Sequence, residues 1–177
     1  MRFRNLAAAA ATSLLLACAA SAQQPAAPPA NPLDAVPEKM PFDVPYGAPI
    51  GLDRADAVLN AALAEARKRD WKLVCTVVDS GAQVVALKRQ DGAQLASIDI
   101  ATHKARTAAK FRRETKAFEA GIQGGNNYLL TLDDIVGSRG GIPLVDGGRI
   151  VGAVGCSGGT GSQDEVAARA GVAALQR

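Results

Sequence analysis

The sequence has 177 residues, of which 48% are hydrophobic, 21% charged and only 4% aromatic. This length and composition suit one modest globular domain with a hydrophobic core, and they exclude collagen-like and wholly disordered chains. The net charge of +3 is too small to indicate a nucleic-acid partner. With one histidine and three cysteines, the chain has no cluster at the spacing of a structural zinc site.

The first 22 residues have the pattern of an export signal. Arg2 and Arg4 form a basic start, residues 6–17 form a short apolar stretch, and small residues follow. Two cleavage sites fit: Ala20-Ser21-Ala22 is a small-x-small site, and Leu15-Leu16-Ala17-Cys18 resembles a bacterial lipobox, which would leave Cys18 lipidated. Either site predicts a periplasmic or secreted domain, and the second adds a lipid anchor to the outer membrane.

A proline-rich linker is expected at residues 23–50. This stretch contains eight of the nine prolines of the chain, in sequence rich in Ala and Gln. Proline lacks an amide hydrogen and does not fit the interior of a helix or sheet. The sequence therefore predicts an extended linker followed by one folded domain at residues 51–177.

Within that domain, hydrophobic periodicity predicts helices and β-hairpins. In chain order, the expected elements are a helix at 53–69, a hairpin of strands at 72–79 and 83–89, a helix at 95–111, a short helix at 115–122, a hairpin of strands at 142–145 and 149–155, and a helix at 162–175. Ser162 and Glu165 match the Ser-x-x-Glu capping box at the start of the last helix. The order indicates an α+β fold, an antiparallel sheet flanked by helices.

The helix at 95–111 carries the most informative residues. At 100° per residue, Lys104 falls within the apolar arc formed by Ile100, Ala101, Ala105 and Ala108. A buried ammonium is costly unless it is paired or hydrated. Lys104 therefore indicates a pocket, a partner carboxylate or a subunit interface, unless its long side chain extends past the small alanines to water.

His103, the only histidine, lies at the border between the apolar arc and the polar face of the same helix. Imidazole is a common ligand of haem iron and of other transition metals. The cations Arg106, Lys110, Arg112 and Arg113 follow closely and suit carboxylates such as the haem propionates. The alternative is a solvated helix face with no ligand.

A glycine-rich turn, Ser157-Gly158-Gly159-Thr160-Gly161, joins the last strand to the last helix. Amide groups at a helix N-terminus favour anions, so Ser157 and Gly158 are candidate contacts for a small anionic ligand. The alternative is a tight turn with no ligand. The local Gly-x-Ser-x-Gly pattern does not indicate a hydrolase, because such enzymes carry their histidine after the serine.

Cys75 and Cys156 both fall in or at the end of predicted strands. Export would bring them into an oxidising compartment, where they would form a disulfide if the strands were neighbours. The sequence is equally compatible with two buried free thiols.

Several spaced motifs resemble the GlcG/HbpS-like family of haem-binding proteins over residues 52–176. They are Val77-Val78-Asp79-x-Gly81, Ile100-Ala101-x-x-Lys104-Ala105-x-Thr107-Ala108, Gly140-Gly141-Ile142-Pro143-Leu144, Asp146-Gly147-x-x-x-Val151-Gly152-Ala153-Val154-Gly155-Cys156-Ser157-Gly158 and Asp164-Glu165-x-x-Ala168-x-Ala170-Gly171. The resemblance implies a profilin-like sandwich with a central antiparallel sheet, assembly into homo-oligomers and, for exported members, haem binding in haem or iron handling.

Combined with the export signal, the resemblance predicts an exported protein that binds haem or a related tetrapyrrole. The candidate ligand residues are His103, Lys104, Arg106 and Thr107 on the helix and Ser157 and Gly158 in the turn, with His103 as the iron contact. The alternatives are a non-catalytic envelope accessory subunit, or an enzyme that acts on a small carboxylate or on haem. No residue set in the sequence identifies a reaction.

Overall fold

The computed structural model describes residues 36–175. The predicted signal peptide at residues 1–22, the lipobox residue Cys18 and the linker as far as residue 35 lie outside the described residues. Within residues 36–175, no helix is both long enough and apolar enough to cross a membrane.

Each predicted helix and strand is present, with ends that differ by no more than two residues from those expected. In chain order they are α1 (Leu52–Lys68), β1 (Val74–Asp79), β2 (Val84–Arg89), α2 (Ser97–Lys110), α3 (Thr115–Gln123), β3 (Gly141–Asp146), β4 (Arg149–Ser157) and α4 (Gly161–Leu175). A short 3₁₀ helix, Asn127–Thr131, which the sequence did not predict, follows α3.

The four strands form one antiparallel sheet in the order β2-β1-β4-β3. The two hairpins therefore meet along β1 and β4, and β2 and β3 are the edges. The turn of the second hairpin places Gly147 and Gly148 at φ +54° and +75°, the left-handed conformations that a tight two-residue hairpin turn requires. The predicted α+β fold with a central antiparallel sheet is confirmed.

Helices cover both faces of the sheet. α1 and α4 pack on one face, over a core that includes Leu59, Leu63, Val77 and Val154. On the other face, α2 packs through alanines on a smaller core with Val78 and Ala153. The alternation of side chains along each strand thus separates two cores.

The central strands are joined covalently. Cys75 of β1 lies opposite Cys156 of β4, and their sulfur atoms form a disulfide that is fully buried. Of the two states compatible with the sequence, the structure has the disulfide.

The folded unit begins before Gly51. Residues 42–50, here called the strap, lie along the start of β4: Gly47 N–H donates to Ile150 O, and Ile150 N–H donates to Pro45 O, each at 2.8 Å. The Tyr46 hydroxyl lies within hydrogen-bond distance of the carbonyl oxygens of Ala109 and Lys110 at the end of α2. The sequence assigned these residues to the linker because proline density weakens regular structure, but Pro45 still accepts a hydrogen bond through its carbonyl.

The start of α4 differs from the expected capping box. Thr160 and Gln163 form the reciprocal pair: Thr160 N–H donates to Gln163 Oε1 at 2.8 Å, and Gln163 N–H donates to Thr160 Oγ1 at 3.3 Å. The prediction of Ser162 and Glu165 as this box is wrong by two residues. Thr160 and Gln163 match the same pattern of a hydroxyl followed at the third position by a glutamine.

Candidate ligand-binding site on the second helix

α2 lies unusually close to the sheet because β4 carries a glycine beneath it. A Cβ atom on Gly155 would stand 2.2 Å from the carbonyl oxygen of Ala101 and 2.5 Å from the amide nitrogen of Ala105. Both contacts are with backbone, which cannot move aside without shifting the helix. Gly155 and the alanines of α2 therefore set the distance between this helix and the sheet, and with it the placement of the side chains on α2.

The inner face of α2 contains a buried ion pair. Lys104 Nζ donates to Asp164 Oδ2 at 2.8 Å, and the two side chains are only 1% and 3% exposed. Gly159 N–H donates to the other carboxylate oxygen at 3.0 Å. Burial raises the pKa of the Asp164 carboxyl, while the Lys104 ammonium and the Gly159 amide act in the opposite direction. Lys104 is thus paired with a carboxylate of α4, one of the arrangements its position predicted.

The glycine-rich turn is held by contacts within the chain. The Ser157 hydroxyl is 3% exposed and donates to Ser97 Oγ at 3.4 Å. Gly158 has φ +138°, and a Cβ there would lie 2.4 Å from the carbonyl oxygen of Lys72. In addition, the Gly159 N–H donates its hydrogen bond to the Asp164 carboxylate. One of the amide groups of the turn that could bind an external anion is therefore already used by a side chain of this protein.

Thr107 anchors the loop that precedes β3. Its hydroxyl donates to the carbonyl oxygen of Asp134 at 2.5 Å and accepts from Val136 N–H at 3.1 Å. Thr107 is fully buried. Its hydroxyl therefore fixes the backbone of residues 134–136 over the side of α2.

The solvent side of α2 carries the remaining candidates. His103 is exposed, and Arg106 is half-buried with Nε donating to Ala82 O at 3.4 Å. Lys110 Nζ donates to Asp134 Oδ2 at 2.5 Å. The pKa of Asp134 is lowered, first by this hydrogen bond and also by the charges of Arg106 and His103. We call these four residues the α2 rim: His103, Arg106, Lys110 and Asp134.

The structure thus divides the predicted site residues into two groups. Lys104, Thr107, Ser157 and Gly158 make internal contacts, whereas His103 and Arg106 belong to the α2 rim. Arg112 and Arg113, expected near His103, lie beyond the end of α2 in a separate groove.

Two carboxylates were missed by the sequence reasoning. Asp164 lies within a quoted family motif, which was a usable signal. Asp134 had none, because its position depends on a long-range loop contact. Within residues 36–175, no three His, Cys, Asp or Glu side chains group in a way that could hold a metal ion. In this part of the chain, His103 supplies the only imidazole at the α2 rim.

Comparison with known proteins gives the family. The model described as "Haem degrading protein HbpS-like" matches residues 50–173. The chain belongs to this HbpS-like family. Among curated relatives, Protein GlcG of Escherichia coli strain K12 is 40% identical over 103 residues, which are 58% of this chain and 77% of that protein.

Solved structures of the family share the fold of this HbpS-like chain. A double mutant of Streptomyces reticuli HbpS is 28% identical, with a TM-score of 0.67 over 82% of this chain and 97% of the other. The crystal structure of the PduOC:Heme complex is 25% identical, with a TM-score of 0.66 over 72% of this chain and 95% of that chain. The predicted family is therefore confirmed, and at least one solved relative is a haem complex.

Proposed function

We propose that this protein is an exported binder of haem, or of a related tetrapyrrole, that takes part in haem or iron handling. The observation that carries the proposal is that PduOC, whose fold covers 72% of this chain, was solved as a haem complex. Membership of the HbpS-like family supports the same ligand. Because one fold can carry different functions, the residues of this chain must also suit haem.

The donor groups of the α2 rim suit haem. His103 is exposed, and a neutral imidazole nitrogen is a usual ligand of haem iron. Arg106 and Lys110 lie one and two turns further along the helix, so they share a face with His103. Arg106 offers a cation to one propionate, and Lys110 offers one to the other when the propionate replaces Asp134 as its partner. Bound haem would supply a redox-active iron, and the protein groups would orient it and balance its charge.

Export is part of the proposal. It rests on the signal pattern at residues 1–22, with Cys18 as the lipid-bearing residue if the lipobox is used, and gives a periplasmic or secreted protein. The buried Cys75–Cys156 disulfide supports an oxidising compartment, because structural disulfides are rare in reducing cytosol.

We also propose that the protein is a homo-oligomer. Leu95 and Leu130 are 78% and 66% exposed, and Tyr128 is 51% exposed. These side chains are candidates for an interface between subunits, which the family resemblance implies. Light scattering after size exclusion gives the mass directly, and a mass of one chain at micromolar concentration would contradict this part of the proposal.

A hemin titration tests the haem proposal. The wild-type protein should give a shifted Soret band that saturates at a defined stoichiometry. His103→Ala should change the position or intensity of the band, whereas Asp99→Ala, one turn earlier on the same helix, should leave it unchanged. A flat wild-type titration would reject haem as the ligand, and identical spectra for the wild type and His103→Ala would reject His103 as the iron contact.

Haem degradation is a second candidate function, favoured by the description of the family. It predicts that the Soret band of the bound haem disappears when a reductant and oxygen are supplied, and that an open-chain product and free iron accumulate together. If the Soret band decays no faster than that of haem bound to serum albumin, degradation is rejected and haem binding remains the proposed function.

A further inference from the structure

A groove runs along the free edge of β3, apart from the α2 rim. It lies between the start of α3 and the outer side of α4 and has a volume of about 330 Å³. Its floor is apolar and consists of Ile142, Pro143 and Val145 of β3 and Val172 of α4. A volume of this size is at the lower end of small-molecule sites, which measure roughly 300–1,000 Å³.

The edge of β3 offers few backbone groups to an added strand. Pro143 has no amide hydrogen, and Gly141 N–H already donates to Thr115 Oγ1 at 2.9 Å. A peptide therefore cannot extend the sheet along this edge by a regular ladder of hydrogen bonds. Any ligand must therefore bind mainly to the side chains that line the groove. Together with the small volume of the groove, this favours a small molecule over an added peptide strand.

Three arginines and one glutamate form the rim of this groove. Arg169 and Glu114 bind each other, with Nη2 and Oε2 separated by 2.6 Å. Within residues 36–175, the only carboxylate paired with Arg112 is Asp43, at 3.9 Å, and the Asp43 side chain is 80% exposed. Arg113 forms no ion pair with any carboxylate in residues 36–175. The groove therefore carries two guanidinium groups whose charge is poorly balanced.

The guanidinium of Arg113 is held in place without an anion. It lies 3.5 Å from the ring centre of Phe42 and 4.8 Å from that of Phe118, and its Nε donates to Phe111 O at 3.3 Å. Burial lowers the pKa of Arg113, yet a guanidinium stays protonated in proteins. Two aromatic rings thus lie close to a partly buried guanidinium. Within residues 36–175, Nε is the only nitrogen of this side chain that has a hydrogen-bond acceptor, so its terminal N–H groups remain for a carboxylate.

Arg112 occupies a position that glycine would fill more easily. It follows the C-cap of α2 and has φ +55°, the left-handed conformation at which helices commonly end with glycine. A long side chain in this conformation is strained. The guanidinium lies 5.9 Å from the ring centre of Tyr46, at the rim of the groove. The backbone conformation therefore does not favour arginine here, although its guanidinium lies near Asp43 and Tyr46 of the strap.

We propose that this groove binds organic monocarboxylates with an apolar body, such as aromatic acids. The carboxylate lies against the guanidinium groups of Arg113 and Arg112, and the body covers Ile142, Pro143 and Val172. The site is distinct from the haem site proposed at the α2 rim, because neither His103 nor Arg106 lines the groove.

Fluorescence titration of the full-length protein with 2-naphthoate tests this inference. The wild type should bind, and the neutral analogue 2-naphthylmethanol should bind about tenfold more weakly or not at all. Arg113→Gln should weaken naphthoate binding by about tenfold or more. The control Arg89→Gln makes the same change on β2, at the opposite edge of the sheet, and should leave binding unchanged.

Arg112→Gly provides a second variant. Glycine suits the left-handed backbone conformation at this position, so this substitution adds no backbone strain. It should weaken naphthoate binding while the midpoint of thermal unfolding stays the same or rises. The inference is overturned if the wild type does not bind naphthoate, if the neutral analogue binds equally well, or if Arg113→Gln and Arg89→Gln behave alike. Hemin titration of Arg113→Gln should match the wild type, and a loss of hemin binding would overturn the separation of the two sites.

Discussion

Lys104 and Asp164 form a buried ion pair that joins the middle of α2 to the first turn of α4 across the end of β4. Their charged atoms are 2.8 Å apart, and water reaches almost none of either side chain. Gly140 lies beside the pair with φ +117°, and a Cβ atom at this position would stand only 2.8 Å from the Asp164 Cβ. The absence of a side chain there makes room for Asp164.

Removing one partner of this pair should be strongly destabilising. Lys104→Met leaves the Asp164 carboxylate buried with only the Gly159 amide as partner, so we expect a loss of about 3–5 kcal/mol in the free energy of unfolding. Chemical denaturation checks this. The double variant Lys104→Met/Asp164→Leu should recover part of the loss, because it removes both charges. A change below about 1 kcal/mol in the single variant would contradict the pairing.

Acid should weaken the attachment of α3 to the loop before β3. Glu119 accepts Arg139 Nε at 2.8 Å and Arg139 N–H at 2.7 Å. The hydrogen bond from the Arg139 side chain holds the pKa of Glu119 below its ordinary value of 4.5. A carboxyl with a lower pKa in the folded state stabilises the fold above that ordinary value and loses this effect as the pH falls.

The corresponding measurement is the free energy of unfolding between about pH 7 and pH 3. The wild type should lose stability below the ordinary pKa, and Glu119→Gln should be less stable at neutral pH with a flatter decline. If the two proteins lost stability in parallel over this range, Glu119 would not be responsible.

The buried disulfide should contribute substantially to stability. It closes a loop with a sequence separation of 81, for which the chain-entropy model gives about 4.5 kcal/mol. The variant Cys75→Ala/Cys156→Ala should unfold at correspondingly lower denaturant. Mass spectrometry after alkylation should find no reactive thiol at these positions in the unfolded but unreduced protein, and two after unfolding and reduction. Alkylation of both cysteines without a reductant would contradict the bond.

The strap should be required for full stability. A protein starting at Pro41 keeps the whole strap and serves as the reference. One starting at Gly51 should lose about 3 kcal/mol, because it lacks the hydrogen bonds to Ile150 and the buried Ile50 side chain. Equal stability of the two truncated proteins would contradict a structural role for the strap.

A point substitution tests the same segment more gently. Tyr46→Phe removes the hydroxyl near the last carbonyl oxygens of α2 and should cost about 1 kcal/mol.

The sequence predicted the local structure well because local patterns determine it. The alanine-rich periodicity of α1 and α2 is typical of helices packed closely on a sheet, and Asp146-Gly147 marks a hairpin turn. The structure agrees at each of these elements. The contacts between these elements were harder to predict from the sequence. The partner of Lys104 lies 60 residues away, and no local pattern identifies Asp164 among several carboxylates.

The strap shows a different limit of sequence reasoning. Its prolines exclude a regular strand, but Gly47 and Ile50 still donate backbone hydrogen bonds to the start of β4. Similarly, Ser157 and Gly158 were predicted as anion contacts from a pattern that also builds a tight turn, and their neighbours within the fold account for both residues. In both cases the outcome depends on contacts between distant parts of the chain.

Haem binding is tested most directly on protein purified from its native cells, by absorbance and intact-mass spectra of the same sample. We expect a Soret band and tetrapyrrole at a defined stoichiometry, either retained from the cell or taken up when hemin is added. A sample that contains no tetrapyrrole and leaves the spectrum of added hemin unchanged would contradict it.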